Sequence, residues 1–164
     1  MSNHKAFSTT ELELLEQCVE LAKEALKAGD QPFGSVLVNN QNEVIGRARN
    51  RVNELDHTAH PEITLAREAT QRFSEEERKD IKMFTTGEHC PMCAAAHGWV
   101  GLGEIVYIHS GKHLGRWLDE FGVGSPPITF YPIEDIVNGI NVRGPVPSLV
   151  PIMKQLHQQY YAER

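Results

Sequence analysis

Several things are missing from this 164-residue sequence, and each absence removes a class of protein. No stretch approaches the roughly 20 consecutive apolar residues that a membrane-spanning helix requires. The opening Met1–Lys5 is polar, without the basic cluster and apolar segment of a secretory leader. A soluble, cytoplasmic protein with no membrane partner is expected. Cysteine is scarce and odd in number, Cys18 alone and Cys90 with Cys93. Three thiols do not build a disulfide framework, and a close pair fits metal or redox use in a reducing compartment. Clustered Lys and Arg are lacking beyond the small group Lys112, His113 and Arg116, and the net charge is −6. A nucleic-acid partner is therefore not expected. Repeats, linkers and low-complexity tracts are also absent, and the length suits one domain over residues 1–164.

What is present alternates between helix and strand patterns. Leu12, Leu15, Val19, Ala22 and Leu26 recur at steps of three and four, which predicts a helix from Thr10 to Ala28, capped by Thr10 with Glu13 and ended by Gly29. Phe33–Val38 and Glu43–Asn50 flank the turn-rich Asn39–Asn42 and read as a hairpin. Pro61 suits the first turn of a second helix, whose buried side takes Ile63, Leu65, Ala66, Ala69 and Phe73. Strands are expected at Ile81–Thr86, Glu104–His109 and Ile128–Tyr131, and helices at Cys90–Val100 and Leu149–Tyr161, with Pro151 in the first turn of the last. The predicted fold is α/β, three layers with a central mixed sheet of about five strands between helices. Residues 10–110 supply its core, and 111–164 a tail at the pocket or a dimer interface. Cys18, beside the first apolar stripe, is most simply a core residue.

His60-Pro61-Glu62 and Cys90-Pro91-Met92-Cys93 are the segments with chemical content. One imidazole and two thiols a helical turn apart make a three-ligand zinc site with one position open. Both segments open helices, where free N–H groups and the helix dipole favour thiolates. Glu62 lies near enough to carry a proton between zinc-bound water and a substrate. Other readings exist for each part. The cysteines alone suit a redox or structural pair; a closed structural zinc would take His89 or His57 as fourth ligand; His60 and Glu62 singly suit a cap and a solvated carboxylate. The combination is what favours catalysis.

These residues resemble the zinc-dependent cytidine/nucleoside deaminase superfamily, marked by H-x-E and P-C-x-x-C. The similarity extends to Gln31-Pro32-Phe33-Gly34, to Asn50, and to Thr58-Ala59-His60, covering roughly Leu12 to Tyr107. It implies one Zn2+ per subunit on His60, Cys90 and Cys93, Glu62 as the catalytic proton shuttle, and contact of Asn50 and Phe33 with the base. Two positions depart from the pattern. Pro61 stands where the family has Ala and lacks an N–H to offer a substrate, and His89 replaces the Pro before the first cysteine.

Within the superfamily, Trp99 six residues after Cys93 and the tail Tyr160-Tyr161-Ala162-Glu163-Arg164 look like those of guanine deaminases. That resemblance implies substrate contacts from Trp99, Tyr161 and either Asp119 or Glu120, and a homodimer with exchanged C-terminal segments. The function it implies is hydrolytic deamination of a free nucleobase or related amino-heterocycle, guanine first. A tRNA adenosine deaminase, a cytosine or other small-heterocycle deaminase, and a non-enzymatic structural-zinc module are the alternatives. Taken singly, Asn50 also suits a turn, Phe33 and Trp99 a core, and the tyrosines a helix anchor; His97, His109 and His113 are assigned no role.

Overall fold

A computed structural model describes residues 6–164, and Met1–Lys5 lie outside them. A single mixed sheet runs β2-β1-β3-β4-β5. Its strands are β1 (Gly34–Val38), β2 (Val44–Arg49), β3 (Lys82–Gly87), β4 (Ile105–His109) and β5 (Val142–Arg143). β1 lies antiparallel to both β2 and β3, whereas β3, β4 and β5 are parallel. The helices are α1 (Thr9–Lys27), α2 (Pro61–Arg72), α3 (Glu75–Arg78), α4 (Pro91–Val100), α5 (Gly111–Glu120) and α6 (Val150–Ala162). The expected three-layer α/β arrangement with five strands is therefore the observed one. Among the described residues, no helix is long and apolar enough to cross a membrane.

The strands sort their side chains by the two-residue period of a pleated sheet. Val36, Val38, Phe84, Val106 and Ile108 face one core with Leu15, Val19 and Ala22 of α1, Trp117 of α5, and Met153 and Leu156 of α6. Leu37 and Met83 face the other, with Leu65, Ala66 and Ala69 of α2 and the flanking Ala96 and Val100 of α4. Cys18 belongs to the first core: it is fully buried, and its thiol donates to the Phe84 carbonyl at 3.2 Å. Helix α1 sits so close to the sheet that a Cβ at Gly34 would come within 2.5 Å of the Cys18 carbonyl, so only glycine fits there.

Three local expectations are corrected. The cap of α1 is Ser8 with Glu11, a reciprocal capping box two residues earlier than Thr10 with Glu13. Ile128–Tyr131 is irregular rather than a strand: Pro126, Pro127 and Pro132 flank it and withhold donors, and the fifth strand is instead the short Val142–Arg143. Helices α3 and α5 were not anticipated, each opening at a serine cap, Ser74 and Ser110. The other elements fall where the pattern put them, with Pro61 at the opening of α2 and Pro151 in the first turn of α6.

Burial of histidine is unusual here. Burial holds His97 down to about 4 and His157 to about 3, and His109 well below the usual value near 6.5. Such groups stay neutral when folded but take up a proton when unfolded. They therefore contribute stability that is complete above pH 6.5 and lost as pH falls towards their folded values. Denaturant titrations between pH 7.5 and 5 should show stability falling below pH 6.5 by about 1.4 kcal/mol per pH unit for each of the three. A flat profile across that window would contradict their neutral burial.

Candidate functional site

The site is assembled at one end of the sheet because several elements begin or end there. β3 and β4 run parallel and finish at this end, β1 starts there and β2 returns to it. His60 is the N-cap of α2, and Cys90, three residues beyond β3, is the N-cap of α4. Neither residue makes a side-chain capping bond, and a proline follows each at the helix start. Their donor atoms are thus free for another partner, beside helix N-termini that favour negative charge.

The three donor atoms of His60, Cys90 and Cys93 lie within 4.8 Å of one another, and theirs is the sole such group of three or more metal-capable residues among the described residues. His60 Nδ1 is 3.6 Å from both Cys90 Sγ and Cys93 Sγ. A tetrahedron with Zn–N near 2.05 Å and Zn–S near 2.3 Å has an N to S edge of about 3.6 Å, so the donors fit a zinc ion without rearrangement. His89 does not join them as a fourth ligand: its ring lies edge-on to His97, with centroids 5.4 Å apart. His57 is exposed and also outside the group. A closed four-ligand site on either histidine is therefore excluded.

Electrostatics within the cluster are those of a ligand set. Cys90 is pushed down to about 4, first by a hydrogen bond with Cys93 and then by His60; Cys93 moves upward, because it bonds to Cys90 and is buried. Burial opposes protonation of His60 most strongly, but Cys90, Glu62 and Asp56 together outweigh it and raise the imidazole. Glu62, in the first turn of α2, is only 5% exposed. Thr85 donates to its Oε1 at 3.1 Å, and burial raises its carboxyl above the usual range. Thr85 lies on the same face as Met83, which is why the α2 side of the sheet can present a hydroxyl to Glu62.

The structure separates the other predicted contacts. Asn50 is buried and tied to backbone at both ends: its Nδ2 donates to the Gln31 carbonyl at 3.2 Å and its Oδ1 accepts from Val52 N–H at 3.3 Å. One donor and one acceptor position of the amide remain. Phe33, whose carbonyl accepts from Asn50 N–H, lies at the same end of the sheet. Trp99 does not line the site within this chain. It is 91% exposed on the outer side of α4, beside Ile63, Arg67 and Thr70 of α2. Asp119 and Glu120 are exposed on α5, and Glu120 pairs with Lys154 at 2.6 Å; neither acid converges on the zinc ligands. Tyr161 is partly buried, its hydroxyl accepting from Gln31 Nε2 at 2.8 Å.

A carboxylate that the sequence reading passed over also belongs here. Glu88, two residues before Cys90, accepts from Gly111 N–H at 2.9 Å and from Ile133 N–H at 3.3 Å. It fastens the start of α5 and the end of the 122–132 loop to the strand that leads into the ligands. Its signal in sequence, an acid beside the cysteine motif, does not disclose two backbone partners so distant along the chain.

An imidazole and two thiols with a buried carboxyl alongside are a donor set that could hold a zinc ion. Residues 8–109 match the family model of the cytidine and deoxycytidylate deaminase zinc-binding region, and the chain belongs to that family. Its chemistry is zinc-dependent hydrolytic deamination. The chain is similar to the tRNA-specific adenosine deaminase of Aquifex aeolicus, 28% identical over 129 residues, with 74% of this chain and 85% of that one covered. It is 34% identical over 107 residues to the guanine deaminase of Bacillus subtilis, of which it spans 64%, the match covering 64% of this chain as well. Among solved structures, the guanine deaminase from Nitrosomonas europaea shares the fold with a TM-score of 0.69 at 20% identity, over 98% of this chain and 89% of that one.

Metal analysis should find about one zinc per wild-type chain, and His60→Ala or Cys93→Ala should lose it. Glu62→Gln should retain it, because the carboxyl is not among the three donors. Loss of zinc from Glu62→Gln would make Glu62 a ligand.

Proposed function

We propose that the protein is a hydrolytic deaminase of a free nucleobase or closely related amino-heterocycle, with guanine as first substrate. The observation that carries this reading is the buried carboxyl of Glu62 beside a three-donor site whose spacing suits zinc. In this reading His60, Cys90 and Cys93 hold the ion and Glu62 is the catalytic residue. Zinc bound there supplies Lewis-acid activation of water near neutral pH. Glu62 keeps Oε1 on the Thr85 hydroxyl, while Oε2 takes one proton from the attacking water and gives it to the ring nitrogen next to the amine-bearing carbon, then takes the hydroxyl proton left on that carbon and gives it to the amine, which leaves as ammonia as the carbonyl forms. Phe33 offers a ring face, and Asn50 the free half of its amide.

Guanine leads because a guanine deaminase is among the relatives and because a chain of net charge −6 has few clustered Lys and Arg to offer an RNA. Trp99, Asp119 and Glu120 lend no support to it within one chain. The similarity to a tRNA-specific adenosine deaminase favours RNA as the second reading, and steep salt dependence of binding would mark it. The test is ammonia release from guanine, adenine, cytosine, isocytosine, their nucleosides and aminotriazines. Wild type should act on a free base, and Glu62→Gln should be slower by about 10²–10⁴-fold with zinc retained. Equal rates in the two proteins would remove Glu62 from the reaction.

A homodimer through the α2 and α4 face, in the cytoplasm, completes the proposal. Trp99 and the neighbouring Ile63 and Val100 form an apolar surface there that a second copy would cover. Helix α6, by contrast, packs against α1 and β4 of its own chain. Sedimentation should give a dimer for wild type and a monomer for Trp99→Glu; a dimeric Trp99→Glu protein would move the interface elsewhere.

A further inference from the structure

At the zinc end of the sheet, two histidines that the proposed chemistry does not use lie side by side in the interior. His109 ends β4 and His157 sits in the middle of α6. Each is 1% exposed, and their ring centroids are 5.2 Å apart. Phe33 packs against both, at 5.0 Å from His157 and 6.1 Å from His109, and Trp117 closes the far side at 4.9 Å from His109. None of their four ring nitrogens has a hydrogen-bond partner among the described residues.

Buried polar groups are almost always partnered, because an orphaned donor or acceptor loses its water without compensation. On α6, His157 shares a buried stripe with Met153 and Leu156, where a leucine would pack without that cost. A structural metal does not explain the pair, since no third metal-capable donor joins them. His113, the nearest further imidazole on α5, has its Nδ1 engaged by Ser110.

Position ties the pair to the substrate end. His109 lies opposite Gly87 in the β3–β4 ladder. A Cβ on Gly87 would come within 3.0 Å of both His109 Nε2 and Phe33 Cε1. Gly87 is two residues after Thr85, the partner of Glu62, and three before Cys90. Ligands of open α/β sheets bind beyond the carboxyl ends of parallel strands, where β3 and β4 finish.

We propose that His109 and His157 are specificity-determining residues that hydrogen-bond the edge of a free base that carries the ring N–H a sugar would replace. This rests on the deaminase reading above and names its substrate class. Burial keeps both imidazoles neutral, with only each other and His113 as titratable neighbours acting on them. Each then offers one donor and one acceptor and no positive charge for a phosphate. On guanine that donor is N9–H, since N3 takes the proton from Glu62, and on cytosine it is N1–H beside the O2 acceptor; a nucleoside has lost the donor and gained bulk.

The experiment compares guanine with guanosine and cytosine with cytidine in wild type, His109→Leu, His157→Leu and His157→Gln. Wild type should deaminate the base and not the nucleoside. Each leucine variant should raise KM for the base tenfold or more with kcat little changed and zinc retained, and glutamine, which keeps a donor and an acceptor, should restore part of the affinity. KM within twofold of wild type in folded, zinc-loaded leucine variants overturns the proposal, as does a wild type that acts only on nucleosides or RNA. Should the variants not fold, side-chain 15N spectra of zinc-loaded wild type decide. Xanthine should shift the His109 and His157 ring nitrogens and xanthosine should not; no shift with xanthine overturns the proposal. If wild type releases ammonia from no substrate yet xanthine moves those resonances, the deaminase reading fails and the recognition stands.

Discussion

Two helices that begin at the same end of one sheet, each with a metal-capable side chain at its N-cap, are the constraint on which the rest depends. An N-cap residue has extended backbone and a side chain free to point back over the first turn. In α2 and α4 that freedom is left open, since His60 and Cys90 cap nothing. Proline at the helix start fixes the entry angle of both without sacrificing a hydrogen bond. The parallel pairing of β3 with β4 and the antiparallel return of β1 then fix where the helices start, so the donor spacing follows from strand register.

The same end of the sheet is where apolar packing gives way to polar groups. Along β1 and β3 the interior is Val36, Leu37, Val38, Met83 and Phe84, and then becomes Ser35, Thr85 and Thr86, all fully buried. Ser35 and Thr85 bond to each other at 2.7 Å, and Thr85 also reaches Glu62. A buried carboxyl is costly unless it is hydrogen-bonded, and these hydroxyls make the position of Glu62 tolerable. The low-dielectric surroundings that raise its pKa suit a group that must hold a proton and give it up.

Much of this was legible in the sequence, and the rest failed for identifiable reasons. The grouping of His60, Cys90 and Cys93, with Glu62 nearby, was readable because the spacing is local: Glu62 is two positions after His60, Cys93 is three after Cys90, and helix periodicity does the rest. Trp99 lies away from the site within one chain because six residues at 100° each carry it about 240° around the helix from Cys93, onto another face. Helix α5 has glycine at 111 and 115 and only Leu114, Trp117 and Leu118 as apolar residues, too sparse a stripe to notice. The five-strand count was right, but β5 is two residues long and held by pairing with β4, information no local pattern contains. His109 and His157 are 48 residues apart and look ordinary singly; only the docking of α6 makes them neighbours.

That docking lets one part of the chain shape a wall whose other part lies far away in sequence. The family match ends at residue 109, yet α6, forty residues later, lays its inner stripe against α1 and β4. The metal-capable cluster and helix α6 are thus set by separate stretches of sequence. Substitutions on the inner stripe of α6 can therefore remodel the wall beside Phe33 while His60, Cys90 and Cys93 keep their places.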